Sequence, residues 1–311
     1  MISSSPAVGS NRLGKRSAIR NVVEAGIARI LIAGLMYSPR PAADWLGRGC
    51  ATLLDTAIPR LRRIANRNLS LAYPDRDAAW RKQTADGVFV SMGRLLVAFA
   101  CLPRITKANV GEWIGYEGFE HYLHAKERGK GVLFATAHLG NWELSAYAHA
   151  LLTEPMNVVV RPLDNPSIDD IVERRRALSG NILLSKRDFA RSILHALRKN
   201  EPVGILVDQN SAIDNGAFVP FFGTPACTNL TFAKLAARSG AAVIPGFATW
   251  NERAGRYVLK FYPEVEITGD AVEDTRRIQG AIEAAVRETP DQWLWIHRRW
   301  KTRPEGERSL Y

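Results

Sequence analysis

From about residue 110 onward the chain alternates short apolar runs with segments of helical period. The runs at 132–137, 156–160, 182–184, 203–207, 242–248 and 257–263 are short and rich in Val, Ile, Leu and Ala. Runs of that length bounded by turn residues read as buried strands. Between them, 142–152, 168–178, 188–199, 229–239 and 273–288 space their apolar residues as helices do. This rhythm predicts an α/β fold with a mainly parallel, mixed sheet and helices on both faces. "WNERAGRY" (250–257) has the composition of a hairpin turn, so one antiparallel pair is expected near the end.

The first hundred residues have a different texture. "VVEAGIARILIAGLMY" (22–37) is the most apolar stretch of this part, yet Glu24 and Arg29 interrupt it. Its longest unbroken apolar run, 30–37, falls well short of the ~20 residues that a spanning helix needs, so it reads as an interfacial or core helix. "PRLRRIANRNLSLAYP" (59–74) sets Arg60, Arg63 and Arg67 on one helical face and Leu61, Ile64, Ala65 and Leu69 on another. Helical pattern resumes over 81–102 and stops at Pro103. The expected organisation is a flexible basic leader at 1–20, a helical, membrane-associating region at 21–109, and an α/β core at 110–311 continuous with it.

Charge sharpens this picture. The net charge of the 311 residues is +11, and residues 1–80 hold twelve Arg and Lys against five acids. Such a bias points to an anionic partner: a lipid surface, an acidic carrier protein or nucleic acid. Three cysteines without CxxC spacing suit a reducing compartment and argue against a structural zinc site. No P-loop or dinucleotide fingerprint appears, and no metal site is expected. His121 and His124 stand three apart on a predicted helix but lack a third ligand.

The candidate chemistry sits in "LFATAHLGNWELSAYA" (133–148). An apolar strand runs into His138, Gly140 permits a tight turn, and Asn141 can cap the helix that begins with "WELS". His138 is therefore expected at the carboxyl end of a strand and Glu143 in the first turn of a helix, at the edge where open α/β sheets bind ligands. Across that turn the two side chains can meet. A carboxylate bonded to an imidazole fixes its tautomer and stabilises the imidazolium formed in reaction. No serine accompanies them, so the nucleophile would be a substrate hydroxyl. The N–H groups of the turn after His138 are candidate oxyanion donors.

"HLGNWE" resembles the HxxxxD/E block of the glycerolipid and lysophospholipid acyltransferases. "RNLSLAYPD" (67–75), "VVVRPLDNP" (158–166), "GILVDQN" (204–210), "VPFFGTPA" (219–226), "AAVIPGF" (241–247) and "WLWIHRRWKTRP" (293–304) resemble, in order, blocks of the lipid A biosynthesis acyltransferases. The resemblance implies His138 as base and Glu143 as its acidic partner. It implies acceptor binding by Asn141, Arg161, Asp208 and Gln209, the guanidinium of Arg161 suiting a phosphate. Phe221 and Phe222 of "FVPFFG" would line part of an acyl groove. Asn210 stands where the family often has a second acid.

The same resemblance implies O-acyl transfer from an acyl thioester to a hydroxyl of a lipid A precursor, without a cofactor. The donor would be an acyl-acyl carrier protein, with acyl-CoA as the alternative. The partners would be acyl carrier protein, an anionic membrane surface and a glycolipid acceptor, with no nucleic acid. The location would be the cytoplasmic face of a bacterial inner membrane, peripheral or monotopic. Two rival readings remain: an acyl-CoA-dependent enzyme acting on a phosphatidylinositol mannoside, and a non-catalytic protein that binds membranes or polyanions through its basic helices.

Overall fold

A computed structural model of the chain describes residues 18–185 and 189–311. Most of the basic leader expected at 1–20 lies outside the described residues.

Four helices come first: α1 (Ala18–Tyr37), α2 (Arg40–Ala57), α3 (Pro59–Ala72) and α4 (Ala78–Cys101). α4 is the hub, and α1, α2 and α3 all pack on it. Its start is set by Asp77, whose carboxylate accepts from the Trp80 N–H at 2.7 Å. Gly93 of α4 faces Gly47 of α2 so closely that a Cβ on Gly93 would lie 2.7 Å from the Gly47 carbonyl oxygen. Two bare backbones at that crossing let the helices approach as side chains would not. Among the described residues, only the segment from α4 through the following turn is long and apolar enough to cross a membrane, and 61% of its apolar window is buried inside the protein. Its apolarity thus serves the core. α1 presents the opposite case. Ala25, Ile32 and Leu35 are buried, whereas Ile19, Val22, Val23, Ile27, Ile30 and Tyr37 stand exposed on its other side.

The remainder is a doubly covered sheet. In chain order follow β1 (Ile114–Glu117), α5 (Phe119–Glu127), β2 (Val132–Thr136), α6 (Trp142–Leu152), β3 (Asn157–Val160), α7 (Pro166–Ala177), β4 (Ile182–Ser185), α8 (Phe189–Arg198) and β5 (Pro202–Leu206). A hairpin, β6 (Gly216–Phe221) and β7 (Thr224–Asn229), stands apart from the main sheet. Then come α9 (Thr231–Ser239), β8 (Ala242–Asn251), β9 (Arg256–Phe261) and α10 (Ala271–Glu288). The seven-stranded sheet runs β1-β9-β8-β2-β5-β3-β4. Every pairing is parallel except β8–β9, the antiparallel pair that "WNERAGRY" signals. The six strands read from the sequence all form, with ends shifted by a few residues at most. β1 and the β6–β7 hairpin were not legible, because "IGYE" is too short and Pro220 and Pro225 break the alternation.

The central strand β2 is buried on both faces, which explains its unbroken apolar run. Leu133, Ala135 and Ala137 join one core layer with Ala65 and Leu69 of α3, Phe232 of α9 and Ile282 of α10. Val132 and Phe134 join the other, with Tyr122 of α5, Leu144 of α6 and Phe99 of α4. Beyond α10 the chain wraps back across the carboxyl ends of the strands as a strap without regular elements after residue 292. Trp293, Trp295, Arg299 and Trp300 of this strap are all fully buried.

Candidate active site

Strand register decides which residues meet. In the parallel β2–β5 ladder Thr136 pairs with Leu206, and the Val207 N–H donates to the Thr136 carbonyl at 3.0 Å. Two residues further along each chain, His138 and Asp208 therefore stand level. Asp208 Oδ1 lies 2.9 Å from His138 Nδ1, and Oδ2 accepts from the His138 backbone N–H at 2.9 Å. The Trp293 indole N–H donates to the same Oδ2 at 2.8 Å.

This arrangement corrects the expected partner of the histidine. Glu143 does begin α6 beside the cleft, but both its carboxylate oxygens are engaged by Arg176 of α7, at 2.5 and 2.9 Å. The physical reason is directional. The turn aims the imidazole across the sheet edge toward β5, while the first turn of α6 aims Glu143 toward α7. Glu143 still contributes its charge. Burial pulls the His138 pKa down, yet the charge and hydrogen bond of Asp208 and the charge of Glu143 together leave it above the ordinary 6.5. Burial pushes the carboxyl of Asp208 up, but His138, the backbone N–H and Trp293 outweigh it and hold it at about 2. An ionised carboxylate only accepts, so in the neutral imidazole Nδ1 carries the proton and Nε2 holds the lone pair. Trp142 packs edge-on against the imidazole at 4.9 Å between ring centroids.

The turn itself is tied down. Gly140 has φ +62°, and a Cβ there would sit 2.0 Å from the Ala248 carbonyl oxygen. The Gly140 N–H donates to the Gln292 carbonyl at 2.9 Å, and the Asn141 N–H to that of Ala248 at 2.7 Å. These two donors are spent, so the turn does not offer them to an oxyanion. The Gln209 side chain is a better-placed donor. It is exposed, and its amide nitrogen lies 3.3 Å from His138 Nε2.

A cleft of 1120 Å³ opens over this edge, and His138, Glu143, Arg161, Arg176 and Gln209 all line it. Its inner wall is apolar, with Phe134, Met156, Val158 and Phe261 among the lining residues. Arg161 is exposed just beyond β3. His149 also borders the cleft, but burial pulls its pKa down to about 4, so it is neutral among Tyr122, Phe134 and Phe261. Among the described residues no group of His, Cys, Asp and Glu has a metal-binding arrangement.

Two further expectations change. Asn141 is fully buried and caps α6 through the Leu144 N–H, so it acts on the turn and not at the cleft wall. Phe221 and Phe222 are buried in an aromatic cluster with Tyr73, Trp293 and Trp295, and neither is among the cleft-lining residues described. The hairpin's own twist, with Phe222 at φ +51°, turns both rings into the core. On the strap, His297 Nε2 accepts from the Asn210 N–H at 3.0 Å. Burial drives its pKa down to about 4.

Sequence reasoning missed Arg176, Trp293 and Arg299. Arg176 is hidden in "RRR", which reads as a solvated run. Arg299 is fully buried, donates to the Cys227 carbonyl at 3.0 Å and to Gln279 Oε1 at 3.1 Å, and Gln279 in turn donates to the Val207 carbonyl at 2.8 Å. Burial draws its pKa down to about 10, so it stays charged at neutral pH. The density of Trp and Arg in "WLWIHRRWK" was the available signal for these roles.

With this geometry in hand, comparison with known proteins identifies the family. The family model for bacterial lipid A biosynthesis acyltransferases matches residues 16–302. The chain belongs to that family. It is an acyltransferase. It is similar to the lipid A biosynthesis palmitoleoyltransferase of Escherichia coli (strain K12), 30% identical over 88% of this chain and 89% of that protein. It is also similar to the lauroyltransferase of the same organism, at 29% over 88% and 90%. The myristoyltransferase of that organism is 25% identical over 88% and 91%.

Trp293→Phe tests the support given to Asp208, because it keeps a buried ring and removes only the N–H. Losing a hydrogen bond to a buried carboxylate costs about 1.5–3 kcal/mol. Asp208 then becomes more basic and holds the Nδ1 proton more tightly, which raises the imidazole pKa further. The acid limb of kcat/KM should move to higher pH in this variant; an unmoved limb would show that the indole serves packing alone.

Proposed function

We propose that this acyltransferase moves a fatty acyl chain from an acyl thioester to a hydroxyl group of a lipid A precursor. The observation that carries the reading is the pairing of His138 Nδ1 with the buried carboxylate of Asp208, 2.9 Å away, at the cleft. In the proposed step, Nε2 takes the proton of the acceptor hydroxyl as its oxygen attacks the thioester carbonyl carbon. Asp208 and the charge of Glu143 stabilise the imidazolium so formed, and the Gln209 amide donates to the oxyanion. Collapse breaks the carbon–sulfur bond. The thiolate leaves with the proton returned by the imidazolium, and an ester and a free thiol result. No cofactor enters this scheme.

The acceptor assignment rests on the activities for which the relatives are named, together with the exposed guanidinium of Arg161 at the cleft. Phosphates of a glycolipid suit such a group. The apolar inner wall offers room for an acyl chain. An acyl-acyl carrier protein is the favoured donor because its acidity complements the net charge of +11.

Incubation of wild type and His138→Ala with a lipid A precursor and acyl-acyl carrier protein, then with acyl-CoA, tests the scheme by mass spectrometry of the acceptor. A mass gain of one acyl chain is expected with wild type only, since general-base help contributes about 10²–10⁴ in rate. Near-full activity of His138→Ala would refute the mechanism, and a gain on a phosphatidylinositol mannoside alone would move the acceptor.

The membrane-associated location at the cytoplasmic face of the inner membrane is part of the same proposal, in a peripheral or monotopic form. Its support is α1, whose exposed stripe of Ile19, Val23, Ile27, Ile30 and Tyr37 is bordered by Arg20 and Arg29. An apolar stripe edged by cations fits the surface of an anionic leaflet. Each buried Ile contributes about 1.5–3 kcal/mol, so Ile27→Glu with Ile30→Glu should release the protein from phosphatidylglycerol vesicles in a flotation assay. Unchanged flotation of that double variant would rule the stripe out.

A further inference from the structure

The helix α3 turns a face to solvent that neither the catalytic scheme nor the core uses. Its apolar side is consumed: Ile64, Ala65, Leu69 and Ala72 are buried, and Asn68 is fully buried with them. Its other side carries Arg60, Arg63 and Arg67, all exposed, and the helix contains no acidic residue. Other exposed arginines are engaged by carboxylates, as Arg174 is by Asp170, Arg276 by Glu273 and Arg287 by Glu283. Arg62, at the edge of the same helix, is held by Asp55 and Asp86. Among the described residues Arg60 and Arg63 have no carboxylate within ion-pair distance, and Arg67 donates to the Leu310 carbonyl at 2.7 Å.

This face is wired to the cleft through the strap. Asn68, next to Arg67, donates to the Trp295 and His297 carbonyls at 2.6 Å each. His297 accepts from the Asn210 N–H, and the Asn210 side chain donates to Thr302 Oγ1 at 3.0 Å. Asn210 and Ser211 line the cleft. Exposed Lys301 precedes Thr302, which bonds Asn210 and Ser211 of the cleft lining, and half-buried Arg298 lies over the Tyr311 ring. Cationic side chains thus stand along α3 and along the part of the strap that its Arg67 and Asn68 contact, beside residues that bond the cleft lining.

We infer that this surface, built by Arg60, Arg63 and Arg67 of α3 with Arg298 and Lys301 of the strap, is the docking site of the acidic carrier protein that delivers the acyl chain. The inference rests on the proposed use of an acyl-acyl carrier protein as donor. Charge complementarity selects the partner, and surface composition selects a soluble protein over a lipid leaflet. None of α3's own large apolar side chains is among the exposed ones; Ile58 just before it and Trp45 and Leu53 of α2 are exposed, fewer than the six of α1. The exposed apolar stripe belongs to α1, which packs with α7 on the other side of the sheet. The lipid acceptor and the carrier would then approach the cleft from opposite faces, so that neither has to leave for the other to bind.

The test is the double variant Arg63→Glu/Lys301→Glu, assayed with acyl-acyl carrier protein and with acyl-pantetheine, an uncharged fragment bearing the same thioester. Arg238→Glu/Arg253→Glu, at exposed positions on α9 and the β8–β9 turn, changes the net charge by the same amount and is the control. Reversed charges at a docking rim act on encounter and its salt dependence, so kcat/KM for the carrier should fall about tenfold or more at low salt, through KM. Turnover of acyl-pantetheine and the control variant should not change. An equal loss with both donors, or no loss with the carrier, would overturn the docking site. Loss of flotation with phosphatidylglycerol vesicles at unchanged carrier KM would make the surface a lipid contact instead and would equally overturn it. A wild-type enzyme that uses acyl-CoA but never the carrier would refute the donor reading itself, a result distinct from the others because it appears before any variant is made.

Discussion

The site depends on one constraint, the register of the parallel β2–β5 ladder. Because Thr136 faces Leu206, the residues two places further on each chain emerge side by side at the carboxyl edge of the sheet, and they are His138 and Asp208. A slip of one residue would turn either side chain toward the opposite face of the sheet and part the imidazole from its carboxylate. Register of this kind is enforced by burial: both faces of β2 are covered, so each of its side chains has an assigned layer. The chemistry of the edge is thus specified by the packing of the middle.

A buried carboxylate is costly unless its oxygens are satisfied. Asp208 is satisfied from two sides, by the His138 turn and by the strap that returns across the strand ends. The strap also accepts the Gly140 N–H at the Gln292 carbonyl and donates the Leu294 N–H to the His138 carbonyl. Its buried Arg299 braces the segment 207–209 through Gln279, which donates to the Val207 carbonyl, and directly at the Gln209 carbonyl, 3.5 Å away. Residues remote in sequence, near 138, 208 and 293, are therefore one mechanical unit. The three buried tryptophans of the strap supply the apolar area that holds it down.

Much of this was legible in the sequence. Continuous apolar runs announced the buried parallel strands, and the Gly-Asn pair after His138 announced the turn and the helix cap. The edge location of His138, Arg161, Asp208 and Gln209 followed from strand ends alone. What failed was the choice between two acids. Sequence proximity favoured Glu143, five residues from the histidine, whereas lateral pairing favoured Asp208, seventy residues away, and no local signal reports lateral register. The partner that claims Glu143, Arg176, was equally hidden because its helix α7 shows only Ile171 buried and reads as a polar surface element. Phe221 and Phe222 failed for a related reason. Aromatic residues near a predicted cleft suggest a groove, but a core needs them too, and the hairpin delivers them there.

Asp208, and not Glu143, is the carboxylate that orients the imidazole of His138. The most direct measurement is the single-turnover rate of acyl transfer across pH for Asp208→Asn and Glu143→Gln, each folded as judged by circular dichroism. The account predicts that Asp208→Asn loses about 10³-fold or more, since the amide no longer stabilises the imidazolium or fixes the tautomer, in line with what such a change costs in comparable triads. Glu143→Gln should lose far less and shift the acid limb to lower pH as one nearby negative charge disappears. The reverse ranking, with Glu143→Gln nearly inactive and Asp208→Asn nearly intact, would contradict it.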